Sequence, residues 1–171
     1  MDYTDYDTRY AAYTVIVEPV SATTRGRMGH SDRSSPVAEG GLHILLALWN
    51  EGVPPQWTLP GGGVDFVETA EQGAVREARE ETGFDVVLGR LLGVDSFVVP
   101  AARRHRQTAR PLKAVRVVYT ARITGGALTR EIDGTTDEAR WWPLEAVVDL
   151  PRVGLVDIAL GWWRAAGGPV G

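Results

Sequence analysis

A short central segment of the chain combines a glycine run with a dense group of glutamates. Over the range Gly62–Phe84 the sequence reads GGVDFVETAEQGAVREAREETGF. Thr69 followed three residues later by Gln72 has the pattern of a capping box, in which two side chains bond the free backbone groups at the start of a helix. Gly83 stands where a left-handed residue ends a helix. These signals predict a helix over about 70–82.

Three carboxylates of the predicted helix lie on one face, because Glu77, Glu80 and Glu81 are spaced at i, i+3 and i+4. Like charges placed in this way repel one another and weaken a helix by roughly a few tenths of a kcal/mol per pair. Arg76 can pair with Glu80 one turn away, but a single guanidinium does not neutralise three carboxylates. A bound divalent cation would do so. The alternative is an acidic helix face in contact with water.

The glycines before the helix have two interpretations. Residues without a side chain let the backbone approach a ligand closely, and they also permit the dihedral angles of a tight turn. For the run from Pro60 to Gly63 the residues alone favour the tight turn.

Nine positions in this segment together resemble the signature of the Nudix hydrolases. The signature is Gly, five residues, Glu, seven residues, and then Arg-Glu-apolar-any-Glu-Glu-any-Gly-apolar. The chain meets it without a gap at Gly62, Glu68, Arg76, Glu77, Ala78, Glu80, Glu81, Gly83 and Phe84. Outside the signature, the Trp-Thr-Leu-Pro-Gly-Gly-Gly approach at 57–63 and the segment from Glu138 to Leu144 extend the likeness over most of the chain.

The resemblance implies an α/β (α+β) fold, the Nudix sandwich of helix, mixed β-sheet and helix. It also implies that a water activated by Mg²⁺, or by Mn²⁺ as a substitute, attacks a phosphorus atom of a diphosphate linkage. The Gly62 carbonyl and the carboxylates of Glu77, Glu80 and Glu81 would hold the metal. Glu77 is either a ligand or the general base.

Three further residues receive roles from the resemblance. Arg76 would orient the glutamates by ion pairing, and it therefore joins Glu77, Glu80 and Glu81 in the predicted catalytic set. Glu68 is predicted to be structural. Glu138 is a candidate additional ligand or base, and its alternative is a solvated turn residue.

Length and composition bound the rest of the molecule. A chain of 171 residues with 44% apolar content can bury one sizeable core, so we expect a single domain over 1–171. The net charge of −4 gives no sign of a general nucleic-acid-binding surface, and the absence of cysteine excludes disulfides and thiolate zinc sites. No apolar run resembles a signal peptide or a membrane span. We expect a cytoplasmic protein that acts on a nucleotide-type small molecule, with a homodimer left open.

Hydrophobic patterns predict the remaining elements. Strands are expected at Ala11–Val17, His43–Asn50, Val86–Leu92, Val94–Val99, Val115–Ile123 and Ala139–Trp142, and a second helix at Leu155–Ala166. A long flexible loop is expected at about 19–41, because Ser, Thr, Gly and charged residues dominate there.

One basic segment, residues 103–113, could contact substrate phosphates. Its members Arg103, Arg104 and Arg106 carry guanidinium groups, which match phosphate oxygens with two hydrogen bonds each. The alternative is a solvated loop. Four aromatic residues could stack on a base, although aromatics at strand positions usually belong to a core: Trp57, Tyr119, Trp141 and Trp142.

The substrate is the least constrained prediction. A proline about sixteen residues after the signature is typical of the family branch that hydrolyses ADP-ribose, and Pro100 stands there. The resemblance therefore favours ADP-ribose or a nucleotide sugar over the nucleoside triphosphates of a MutT-like pyrophosphatase. A nucleotide-sensing module without catalysis is the alternative from another class, although all the acidic positions are present. An isoprenoid diphosphate isomerase of this fold usually needs a catalytic cysteine, which the chain lacks.

Overall fold

The described residues form eight strands and two α-helices. A computed structural model describes residues 2, 4–19, 41–50, 53–104, 108–129 and 136–168, with residues 136 and 137 described in their backbone only. The elements are β1 Asp7–Val15, β2 Val17–Pro19, β3 Leu42–Trp49, β4 Gln56–Thr58, β5 Gly61–Gly63, α1 Ala70–Thr82, β6 Phe84–Val99, β7 Leu112–Gly126, β8 Thr136–Pro143 and α2 Gly154–Ala165. Most of the predicted long loop, residues 20–40, lies outside the described residues, as does Arg106.

The strands form two sheets. In the first sheet the order is β5-β1-β7-β6, with β1 parallel to β7 and the other pairs antiparallel. In the second sheet β3 pairs antiparallel with β2, β4 and β8. A backbone hydrogen bond from the Leu45 N–H to the Ile16 carbonyl, at 3.0 Å, links the two sheets where the chain passes from β1 to β2.

The two helices cover opposite faces of the first sheet. Helix α1 packs Ala70 and Ala74 with Val117, whereas the next residue, Val118, belongs to the core cluster of α2. Successive strand residues point to opposite faces, so this alternation places one helix on each side. The arrangement of helix, mixed sheet and helix confirms the predicted fold class. Within the described ranges, neither helix is long and apolar enough to cross a bilayer.

The longer predicted elements are confirmed, with changes at their ends. The helices begin and end within a residue of the predicted bounds. The first strand breaks at Ile16 into β1 and β2, and the two apolar runs after α1 form the single strand β6, which carries irregularities in its pairing with β7. The short strand β4 was not predicted.

The prediction of a tight turn for the glycine run is wrong. Gly61, Gly62 and Gly63 form β5, which pairs antiparallel with β1. The reason is steric. A Cβ atom on Gly61, whose φ is 143°, would lie 2.3 Å from the carbonyl oxygen of Ala12, so a side chain here would prevent the two strands from pairing as they do.

Candidate functional site

Helix α1 carries the signature glutamates, and its ends are fixed by local contacts. Thr69 Oγ1 accepts a hydrogen bond from the Gln72 backbone N–H at 3.3 Å, and Gln72 Oε1 accepts one from the Thr69 N–H at 2.9 Å. Gly83 has a left-handed φ of 77° and donates its N–H to the Arg79 carbonyl at 2.8 Å. The predicted capping box and terminal glycine are therefore both confirmed.

The Arg76 guanidinium binds Glu68 with two parallel hydrogen bonds. Arg76 Nε lies 2.7 Å from Glu68 Oε1, and Arg76 Nη2 lies 2.9 Å from Glu68 Oε2. The Asp65 backbone N–H also donates to Glu68 Oε2 at 2.9 Å. These bonds favour the charged carboxylate and so lower the pKa of Glu68 to about 2, and the bonds from Arg76 have the largest effect. Glu68 thus anchors the arginine, in agreement with its predicted structural role.

The other edge of the same guanidinium contacts the helix glutamates. Arg76 Nη1 donates to Glu77 at 3.0 Å and to Glu80 at 2.9 Å, and Nη2 donates to the Gly63 carbonyl at 2.8 Å. The carboxylates raise the pKa of Arg76, the bonds to Glu68 contributing most. One arginine therefore connects helix α1, strand β5 and the loop between them.

The remaining signature glutamates reach the backbone of β5. Glu81 is buried, and its Oε2 atom accepts a hydrogen bond from the Gly61 N–H at 2.8 Å. The carboxylate of Glu77 lies over Gly62, where a Cβ atom would be 2.8 Å from the carboxyl carbon. The absence of a side chain on Gly62 therefore makes room for the Glu77 carboxylate, whereas Glu81 binds the backbone of Gly61.

The donor set suits a hard divalent cation. Glu77, Glu80, Glu81 and the Gly62 carbonyl offer only oxygen atoms, which magnesium and manganese prefer. Among the described residues, however, no three acidic or histidine side chains already converge as a metal site does. Glu77 and Glu80 are held by Arg76 and Glu81 by Gly61, so the ligand assignment stays a prediction.

Glu138 belongs to the second sheet, whereas the signature glutamates of the predicted metal site belong to α1. It is on β8, opposite Leu48 of β3, and its Oε1 atom accepts a hydrogen bond from Arg140 Nε at 2.8 Å. The Arg140 guanidinium also lies 5.2 Å from the centre of the Trp142 ring. The role of Glu138 as an extra ligand or base stays a prediction.

The basic segment is tied to the beginning of β1. Arg104 Nη1 lies 2.5 Å from one carboxylate oxygen of Asp7, and Arg110 Nε lies 2.7 Å from the other. These two bonds lower the pKa of Asp7. Asp7 is five residues before Ala12, the partner of Gly62, which is about 17 Å along the strand. Arg104 therefore has a structural contact, whereas Arg103 is exposed. Substrate binding by this segment stays a prediction.

The four aromatic candidates belong mainly to the core. Trp57, Tyr119 and Trp141 are each less than a tenth exposed. Trp142 packs edge to face against Trp57, with ring centres 5.1 Å apart. The core interpretation therefore fits these residues better than a face for stacking a base.

Two contributors to the site were not predicted. The Gly61 N–H and the Gly63 carbonyl position Glu81 and Arg76, respectively. The only signal for them in the sequence is the run of three glycines, which does not distinguish a strand from a turn.

A family model named NUDIX domain matches residues 35–157, well over half of the chain. The chain belongs to the Nudix family. Members of this family are hydrolases that act on phosphoric anhydrides, and they generally use divalent metal ions. The recognition of the signature from the sequence is confirmed.

Curated relatives resemble this Nudix domain over part of their length. It is 38% identical over 89 residues to a putative mutator protein MutT4 of Mycobacterium tuberculosis, covering 52% of the chain and 33% of the relative. It is 35% identical over 94 residues to an 8-oxo-(d)GTP phosphatase of Mycolicibacterium smegmatis, covering 54% and 25%. It is 47% identical over 62 residues to diphosphoinositol polyphosphate phosphohydrolase 3-alpha of Mus musculus, covering 36% and 37%. The chain thus spans about a quarter to a third of these relatives.

Solved structures share the fold of this Nudix domain. A NUDIX hydrolase from Nitrosomonas europaea superimposes with a TM-score of 0.65 at 16% identity, covering 94% of the chain and 90% of that structure. The NUDIX domain of Shewanella oneidensis NrtR, complexed with ADP ribose, superimposes with a TM-score of 0.63 at 21% identity, covering 97% and 93%. At these identities the likeness shows the fold alone.

Proposed function

We propose that this Nudix domain is a pyrophosphohydrolase that uses Mg²⁺, with Mn²⁺ as a substitute, to cleave a diphosphate linkage by attack of water on phosphorus. The observation that carries the proposal is the Arg76 guanidinium, which contacts three signature glutamates and the backbone of β5. Carboxylates that are ionised and fixed in this way suit a cation and its bound water. They do not suit acyl transfer, because among the described residues no activated nucleophile accompanies them.

Each residue of the group has a definite task in this proposal. Glu77, Glu80 and Glu81, with the Gly62 carbonyl, would hold the metal ion. When bound, the ion would neutralise charge on the phosphate oxygens and lower the pKa of a water. Arg76 fixes the direction of each carboxylate that it contacts. A carboxylate of α1 would take the proton of the attacking water, and Glu77 is our candidate.

The substrate is a phosphoric anhydride of a nucleotide type. Pro100 favours ADP-ribose or a nucleotide sugar, and ADP ribose is the ligand of one structural neighbour. The names of the curated relatives favour compounds with more phosphate groups, since they specify 8-oxo-(d)GTP and diphosphoinositol polyphosphate. We propose as the general class a nucleoside diphosphate linked to a further group, which is either a sugar or additional phosphate. We also keep a cytoplasmic location and a homodimer as proposals.

Hydrolysis of a substrate panel in oxygen-18 water tests the reaction. The purified protein is incubated with Mg²⁺ and, in turn, ADP-ribose, nucleotide sugars, dinucleoside polyphosphates and nucleoside triphosphates. We expect cleavage within the phosphate chain of at least one compound, loss of turnover with chelator, and label in one phosphoryl product. Label on a ribose carbon with the diphosphate intact would mean glycosidic cleavage. Binding of several compounds without turnover would replace the proposal with a nucleotide-sensing module.

A further inference from the structure

The face of the first sheet opposite α1 carries a row of charged residues beside the glycine strand. Arg9, Ala11 and Tyr13 alternate along β1, so their side chains share this face. The strand register places Ala11 between Gly63 of β5 and Arg116 of β7. These positions connect β5, whose backbone binds Glu81, with Arg9 and Arg116, two arginines that the proposed reaction does not use.

Arg116 of β7 is held in place by its neighbours. Arg116 is mostly buried, and its guanidinium donates to the Asp95 carboxylate, with Nε at 2.9 Å. It also lies 4.5 Å from the centre of the Phe97 ring, which permits a cation–π contact. Asp95 and Phe97 are on β6, so the arginine is fixed by the strand next to its own. A fixed guanidinium loses little conformational entropy when it binds a further oxygen.

Arg9, the arginine on β1, has a different environment. Arg9 is exposed, and its side chain makes no hydrogen bond or ion pair with another described residue. Asp95 balances the charge of Arg116 but leaves that of Arg9, so the row has an excess positive charge. Arg104 and Arg110 of the basic segment differ from Arg9, because each has an ion-pair partner in Asp7.

Tyr13 shares the face of β1 that carries Arg9, and it pairs with Gly61 of β5. Burial raises the pKa of the Tyr13 hydroxyl, while Arg9 and Arg116 lower it and Glu81 and Glu77 raise it further. All four charges therefore act on one hydroxyl group. The strand register gives the geometry, because Tyr13 pairs with Gly61, whose N–H binds Glu81.

We propose that Arg9 and Arg116 bind a phosphate group of the substrate other than the one attacked, and that the substrate has a chain of three or more phosphates. This inference rests on the proposed hydrolysis at the glutamates of α1. A diphosphate between two sugars presents little charge beyond the phosphates at the metal. A longer chain presents a further anion, which guanidinium groups bind with charge-assisted hydrogen bonds.

Arg9→Ala tests the site, and Arg122→Ala is its control. Arg122 is an exposed arginine of β7, about 20 Å along the strand from Arg116. With GTP and Mg²⁺ we expect Arg9→Ala to raise KM about tenfold with a smaller change in kcat, since a charged hydrogen bond to bound substrate is lost. With ADP-ribose its KM should stay within about twofold. Arg122→Ala should match wild type with both. Arg116 is left intact because its removal would leave Asp95 unpaired.

Direct binding separates this inference from the proposed reaction. Calorimetric titration with inorganic tripolyphosphate measures the anion site even if no compound is hydrolysed. We expect about tenfold weaker binding in Arg9→Ala than in wild type or Arg122→Ala, with a smaller dependence on salt. Equal binding in all three proteins would overturn the site. An equal rise in KM for GTP and ADP-ribose would overturn the substrate class. Tripolyphosphate binding that depends on Arg9, without hydrolysis of any compound, would support the anion site and refute the proposed reaction.

Discussion

The carboxylate of Glu77 lies so close to the backbone of Gly62 that a Cβ atom on this glycine would be 2.8 Å from the carboxyl carbon. The nearest atoms all belong to the end of a flexible side chain. A methyl group at this position would therefore displace the carboxylate and leave the strand in place. A glycine at position 62 therefore allows Glu77, a predicted metal ligand, to keep the direction of its carboxylate.

Gly62→Ala should lower turnover with little change in stability. A displacement of about 1 Å at a reacting group can reduce a rate by up to about a hundredfold, so we expect a fall of between tenfold and a hundredfold in kcat. Gly63→Ala is the matched control, because a Cβ atom there meets nothing within 4 Å and its carbonyl remains available to Arg76. Steady-state kinetics and urea unfolding of both variants measure the two effects. Equal activity of the two variants would show that the position of Glu77 is not limiting.

Substitutions of Glu81 should separate charge from hydrogen bonding. Glu81→Gln keeps an oxygen for the Gly61 N–H, so the variant should stay folded while turnover falls about a hundredfold or more through loss of charge at the metal. Glu81→Ala leaves that buried N–H without its partner and should also lower the free energy of unfolding by about 1–3 kcal/mol. Urea denaturation without metal measures this difference. Near wild-type activity of Glu81→Gln would falsify the metal assignment.

Glu68 should make the stability of the domain depend on acidic pH. Its pKa is about 2 in the folded protein and 4.5 ordinarily, so the folded state binds the proton less readily than the unfolded state. The resulting stabilisation is complete above pH 4.5 and is lost as the pH falls towards 2. Glu68→Gln lacks this titration. The difference in unfolding free energy between wild type and the variant should therefore shrink from pH 5 to pH 2. A constant difference over this range would contradict the assignment.

The local parts of the site could be predicted from the sequence, whereas the distant contacts could not. Thr69 and Gln72 are three residues apart, and Arg76 and Glu80 are four apart, so helix geometry alone brings each pair together. The bond between Glu81 and Gly61 spans 20 residues and depends on how β5 pairs with β1. No periodicity within the chain specifies that pairing.

The glycine strand β5 and the basic segment also depend on contacts between residues that are distant in the sequence. Glycine is depleted in strands, so three glycines in succession favour a turn until β1 supplies a partner. Arg104 resembles a phosphate ligand in the sequence, but Asp7, 97 residues earlier, occupies its guanidinium. In both places a residue far along the chain decides the local structure.

Arg76→Lys should reduce activity although it keeps the charge. Arg76 makes five hydrogen bonds through its planar guanidinium, two of them to Glu68 and the others to Glu77, Glu80 and the Gly63 carbonyl. A lysine has three donors on one nitrogen and cannot span these acceptors. We expect kcat to fall about tenfold or more, together with a lower melting temperature. Arg79→Lys is the control, since that exposed side chain of α1 pairs only with Asp85 among the described residues. If both variants retain wild-type kcat, the guanidinium does not orient the glutamates.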